Sequence, residues 1–165
     1  MKRQSKINSQ CQNDLEMYGF CTVKIELNSD IHHAVMGRDY QQLDKLIAAQ
    51  TQMDGIIFET LKSYCDVKEI EFIISLREAI NPWEEDGIWH DDGSRIMAFS
   101  LSLTSEKPEG GVLEFRKKGA KTSLKIPTPD YGTMIIFKTG IDDYEHKINQ
   151  VTKGHRLIIA GWCYP

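Results

Sequence analysis

The sequence predicts a mainly β domain of the antiparallel sandwich or jelly-roll kind, an α+β fold whose N-terminal strand and helices pack on one sheet. Three observations point there. Downstream of residue 67 the chain breaks into short β-rich runs: EIEFIISL, RIMAFSLSL, GGVLEF, TSLKI, GTMIIF and HRLIIAGWCY. Gly, Pro, Asp and Lys punctuate these runs at intervals of about eight to twelve residues, the rhythm of a sandwich or barrel. Upstream the texture is mixed, one strand-like run followed by a long helical stretch, so the helices are segregated to one side of the sheet.

Taken in order, residues 18–27, YGFCTVKIEL, alternate well enough for a strand, with Phe20 and the Val23-Lys24-Ile25 stretch supplying β-formers. From Asp39 to about Cys65 apolar residues recur at helical spacing, first Leu43, Leu46 and Ile47, then Ile57 and Leu61, with a break at Asp54-Gly55. His32 and His33 fall in a polar, turn-like segment ahead of this helix and read as bystanders. With the runs around WHDDG and EHKIN, about eight strands are available after residue 67, enough for a jelly roll. No repeat or low-complexity linker interrupts the 165 residues, so they read as a single domain: residues 1–68 as support and 69–165 as core.

Composition narrows the function classes. Hydrophobic residues make up 41% and charged residues 27%, as in ordinary globular proteins, and the net charge of −4 argues against a nucleic-acid groove. The small basic cluster Arg116, Lys117, Lys118 and Lys121 reads as a solvated turn. The N-terminal stretch MKRQSKINSQCQND is polar and no apolar span follows, so neither an export signal nor a membrane helix is expected. Cys11, Cys21, Cys65 and Cys163 are scattered without a CxxC pair; they read as reduced thiols in a cytoplasmic protein, and none sits in a nucleophile motif.

Two strands carry unusual faces. In RIMAFSLSL, Ile96, Ala98, Ser100 and Ser102 share one face, which is either the wall of a polar cavity or the solvent side of an edge strand. In HRLIIAGWCY, the period of two puts Arg156, Ile158, Ala160 and Trp162 together. An inward Arg156 needs an anionic partner, from the protein or from a ligand, because an unpaired buried charge is too costly.

WHDDG contributes the chemistry. His90 and Asp92 are spaced i, i+2 and share a face of an extended chain, whereas Asp91 points the other way. His-x-Asp alone is common by chance. Downstream, His146 supplies a second imidazole, and two histidines with one carboxylate form the facial triad that holds non-haem Fe(II) with positions left open. Arg156, with its planar fork, then suits the far carboxylate of a 2-oxo acid chelated to the metal at its other end.

These residues together resemble the Fe(II)/2-oxoglutarate-dependent dioxygenases, in particular their prolyl-4-hydroxylase-like branch. The resemblance spans roughly residues 69–164 and rests on His90-x-Asp92, on GGVLEF, on the strand ending in GTMIIF, and above all on HKINQVTKGHRLIIAGWC. It implies a double-stranded β-helix with His90, Asp92 and His146 as iron ligands and Arg156 on the distal carboxylate of 2-oxoglutarate, all four catalytic, and with Trp162 lining the cofactor end. It also implies O2 as co-substrate, ascorbate as a reductant, and hydroxylation of a C–H bond with release of succinate and CO2. Where the branch often has a tyrosine that helps hold 2-oxoglutarate, the matching position is Ser102. That shorter side chain leaves three readings: a bridging water, another donor, or a different co-substrate. The primary substrate, whether a protein side chain, an amino acid or a small metabolite, stays open, as does the oligomeric state. A metal-binding sensor or binding protein on the same jelly roll without turnover is the alternative.

Overall fold

The computed structural model describes residues 9–165. Residues 1–8, part of the polar stretch in which no export signal is read, lie outside the described residues. Four helices and a strand come first: α1 Ser9–Tyr18, β1 Phe20–Lys24, α2 Ser29–Met36, α3 Tyr40–Gln50 and α4 Ile56–Lys62. Nine strands follow: β2 Glu69–Glu78, β3 Met97–Ser102, β4 Glu109–Gly110, β5 Leu113–Lys117, β6 Leu124–Ile126, β7 Thr133–Phe137, β8 Tyr144–Ile148, β9 Val151–Lys153 and β10 His155–Tyr164.

The strands form two facing layers, with every pair antiparallel. The larger sheet has the order β1-β7-β3-β10-β2, the smaller β6-β5-β8, and β4 pairs β9 beside them. β1 joins the larger sheet alongside β7, so the N-terminal region contributes structure to the core as well as a cover. The helices lie on the outer face of this sheet. Leu15, Ile31, Leu43, Ile47, Ile57 and Leu61 meet Phe99, Leu101, Ile136, Leu157 and Ile159 there in one buried cluster. A second cluster, Ala98, Leu113, Phe115, Ile135 and Phe137, fills part of the space between the sheets. The remainder of that space is the site.

The strand period therefore does what the sequence predicts on β10: Leu157, Ile159 and Cys163 face the helices, and Arg156, Ile158, Ala160 and Trp162 face inward. β3 is central, buried along its whole length, so its Ala98 and Ser100 face is an interior wall and not a solvent face. The predicted helical break is real: α3 ends at Gln50 and α4 begins after Gly55.

Two expectations are corrected, and one helix is added. The segment carrying His32 and His33 is a helix, because the Asn28 side chain caps it by accepting from Ile31 N at 3.1 Å while Ile31 and Ala34 bury one face. α1 also forms, on the two buried residues Cys11 and Leu15 at i, i+4. Cys11 and Cys21 are joined as a disulfide, since the chain doubles back at Gly19 and lays β1 against α1. The argument for a reducing compartment from unpaired thiols thus loses two of its four cysteines.

Candidate active site

WHDDG is not a strand. A single bridge holds it to β8: His90 N donates to His146 O at 2.9 Å and His146 N donates to His90 O at 2.8 Å. This exchange sets the two imidazoles side by side, with ring centroids 4.1 Å apart. The His90 ring meets Ile88 O through Nδ1 at 3.1 Å, leaving Nε2 directed at Asp92 Oδ1, 4.0 Å away. His146 Nε2 lies 3.4 Å from Asp92 Oδ2. One ligand atom from each of His90, Asp92 and His146 falls within a 4.8 Å cluster.

Asp92 reaches this cluster from a left-handed backbone conformation, φ 59°, so the residue picked by strand parity arrives through a turn. Asp91 faces outward. It accepts from Gly93 N at 2.8 Å and pairs with Lys118 at 2.5 Å, and these two contacts hold its carboxyl below the usual range. Trp89 is sandwiched between Arg116 and Lys147, 3.8 and 4.8 Å from its ring centre, and serves packing.

The electrostatics suit a cation. Burial raises the Asp92 carboxyl above its ordinary value, and among the described residues its Oδ2 has no hydrogen-bond donor. Burial, with the nearby His90, pushes His146 down to about 3, so its ring is neutral, the form a metal ligand requires. Around them, Arg95 donates to Asp92 O at 3.1 Å and to the Tyr164 hydroxyl at 3.0 Å while lying over Trp162. The donor set of two imidazoles and one carboxylate fits Fe(II) with open positions.

A cavity of about 240 Å³ opens from this cluster between the sheets. Trp162 and Phe137 line it near the histidines, Ser100, Ile158 and Ala160 form its wall, and Arg156 lies among its lining residues. Arg156 is 2% exposed, and among the described residues neither its Nε nor its Nη1 has a partner. Burial, reinforced by the charge of Arg77, lowers it to about 9. A guanidinium so placed lacks a carboxylate, and the distal end of an oxo acid would supply one.

Ser102 does not line the cavity. Its hydroxyl donates to Pro129 O at 2.9 Å and accepts from Thr104 N at 3.3 Å, so it is committed to the loop ahead of β7. Ser100, at the same parity, and Ser75 on β2 are the hydroxyls on the cavity wall. Arg77 is a cavity-lining residue that sequence reasoning missed. It sits directly across from Arg156 in the β10–β2 register, lines the cavity, ion-pairs with Asp86 and lies under the Trp83 ring at 4.6 Å. The period of two in EIEFIISLRE, applied as it was to β10, would have grouped it with Ile73 and Ser75 on that face.

A fold of this kind, with a histidine–aspartate–histidine cluster at the mouth of the jelly roll, defines an oxygenase class. Residues 79–164, just over half the chain, match the family model of the 2OG-Fe(II) oxygenase superfamily, and the chain belongs to that family. It is a 2-oxoglutarate-dependent oxygenase, with Fe(II), 2-oxoglutarate and O2 as the family's metal and co-substrates. Among solved structures it is similar to a prolyl-4-hydroxylase from Pseudomonas putida, at 17% identity over 94% of this chain and 93% of that one, TM-score 0.63. It is also similar to a prolyl hydroxylase from Trichoplax adhaerens, solved with a hypoxia inducible factor peptide fragment, at 11% identity over 94% and 88%, TM-score 0.69. A third is IDO from Bacillus thuringiensis, at 10% identity over 98% and 96%, TM-score 0.66. At these identities the likeness is one of fold, that of the prolyl-4-hydroxylase-like branch. No curated protein matches the chain. Among the described residues no helix is long and apolar enough to cross a membrane.

Proposed function

We propose that this oxygenase hydroxylates a C–H bond of a protein side chain, an amino acid or a small metabolite, releasing succinate and CO2, with His90, Asp92 and His146 holding Fe(II) and Arg156 holding 2-oxoglutarate. The observation that carries this reading is the pairing of two unsatisfied features in one cavity: among the described residues, an Asp92 oxygen without a donor and two Arg156 guanidinium nitrogens without acceptors.

The bound iron supplies the electron chemistry that activates O2 and breaks the C–H bond. The protein positions and shields. Arg156 takes the distal carboxylate in a water-poor site, where a charge-assisted pair fixes the length and direction of the co-substrate. Trp162 and Phe137 flank the ligand end, the latter edge-on to His146 at 4.8 Å, and restrict water there. The carboxylate at position 92 leaves no halide position, which favours hydroxylation. On this reading ascorbate acts as an external reductant, and residues 1–68 support a single catalytic unit.

Purified protein given Fe(II), ascorbate and 2-oxoglutarate should release succinate, slowly alone and faster with a substrate. Absence of succinate with every candidate substrate, together with retained metal and 2-oxoglutarate binding, would favour the non-catalytic alternative.

A further inference from the structure

Arg77 and Arg156 face each other across β2 and β10, and both line the cavity. Side chains directly opposed in an antiparallel pair share one face and lie within about 5 Å at their bases. Like charges so placed are unfavourable unless anions come between them. Asp86 provides one, pairing with Arg77 Nη1. Among the described residues no carboxylate pairs with Arg156. Three guanidinium nitrogens, Arg77 Nε, Arg156 Nε and Arg156 Nη1, are left buried without acceptors. One carboxylate, with about four lone-pair sites, can accept from both side chains.

Arg77 is also where the segment 79–88 is fastened. This segment leaves β2, crosses to β8 through Gly87 N to Ile148 O at 2.8 Å, and leads into His90. Near its end Asp86 grips Arg77, takes Trp83 N on its other oxygen at 3.0 Å, and so seats the Trp83 ring on the guanidinium. Its apolar side chains Ile80 and Ile88 are exposed, so little packing holds it besides these contacts.

We propose that Arg77 and Arg156 form a two-arginine clamp on the distal carboxylate of the oxo acid, and that Arg77, gripped by Asp86 and Trp83, couples filling of the clamp to the seating of segment 79–88. The inference rests on the functional reading above and adds a positioning residue and a selectivity to it. The clamp demands a second carboxylate, so an oxo acid of equal length without one is rejected. A filled clamp stiffens the segment that presents His90.

The test uses the full chain loaded with Mn(II), which avoids turnover, titrated calorimetrically with 2-oxoglutarate and with 2-oxopentanoate. Wild type should prefer 2-oxoglutarate. Arg77→Met should weaken 2-oxoglutarate by about 10- to 100-fold while leaving 2-oxopentanoate and Mn(II) affinity unchanged, and Arg77→Lys should recover part of the loss. Hydrogen exchange across 79–88 should slow on adding 2-oxoglutarate to wild type but not to Asp86→Asn. Unaltered 2-oxoglutarate binding in Arg77→Met, or equal loss of both acids, overturns the clamp alone. Unchanged exchange in wild type overturns the coupling. A wild type that binds neither acid overturns the co-substrate reading itself.

Discussion

Gly111 lies against the aliphatic stem of Arg156: a Cβ at position 111 would stand 3.0 Å from Arg156 Cδ and 3.1 Å from Val151 Cγ2. Its φ of +66° is itself a conformation that side chains resist. The second glycine of GGVLEF thus seats the stem of Arg156.

Gly111→Ala should therefore displace the Arg156 fork. The expected result is a rise of about tenfold in the 2-oxoglutarate dissociation constant with metal affinity unchanged, and a stability loss of about 1–2 kcal/mol from the strained backbone. Calorimetry with the Mn(II) protein and thermal unfolding measure the two separately. A variant that binds 2-oxoglutarate as wild type does would show that the stem has room to shift.

The two neighbouring aspartates should separate cleanly. Asp92→Ala should abolish Fe(II) or Mn(II) binding, whereas Asp91→Ala, which loses the Lys118 pair and the Gly93 turn bond, should keep metal affinity within roughly threefold. Equal damage from both changes would count against the ligand set.

Glu114 on β5 gives an acid-stability prediction. Hydrogen bonds from Asn149 and Ser123, with Lys147, hold it down to about 2 from 4.5. A folded value below the unfolded one means that its stabilisation is complete above about pH 4.5 and is lost as pH falls from there toward 2. Glu114→Gln should lower stability by about 2 kcal/mol at neutral pH, and the gap to wild type should close in that acid window. Denaturant titrations at several pH values would show it; a gap independent of pH would refute the assignment.

The serines of β3 should behave oppositely. Ser102→Ala leaves the Pro129 carbonyl without its donor and should cost about 1 kcal/mol of stability with 2-oxoglutarate binding intact. Ser100→Val places methyl groups in the cavity wall and should weaken 2-oxoglutarate instead. Loss of 2-oxoglutarate affinity in Ser102→Ala would restore that residue to the cofactor site.

Alkylation under denaturing, non-reducing conditions should label Cys65 and Cys163 and spare Cys11 and Cys21. Replacing the Cys11–Cys21 pair by serines should cost about 2–3 kcal/mol, as expected for a short closed loop. Labelling of all four cysteines would return the protein to the reduced state read from the sequence.

How much of this was legible beforehand differs from element to element. β10 was readable residue by residue, because a buried strand between helices and a cavity must alternate, and its Arg156 stands out among apolar neighbours. His90, Asp92 and His146 were readable as a set by residue type and order, although the reason offered for Asp92, strand parity, is replaced by a left-handed turn. α1 and α2 escaped notice, since short helices that bury only two residues each leave almost no periodic pattern.

By itself the sequence determined the antiparallel jelly roll, the inward face of its last strand and the residue types of the His90, Asp92 and His146 cluster, because period, punctuation and residue type are local properties. Tertiary structure alone decided which hydroxyl reaches the cavity, which cysteines meet, and that Arg77 stands beside Arg156. The first and last depend on how strands distant in the chain pair, and the cysteines on how α1 folds back onto β1; each is set by packing that no single element records.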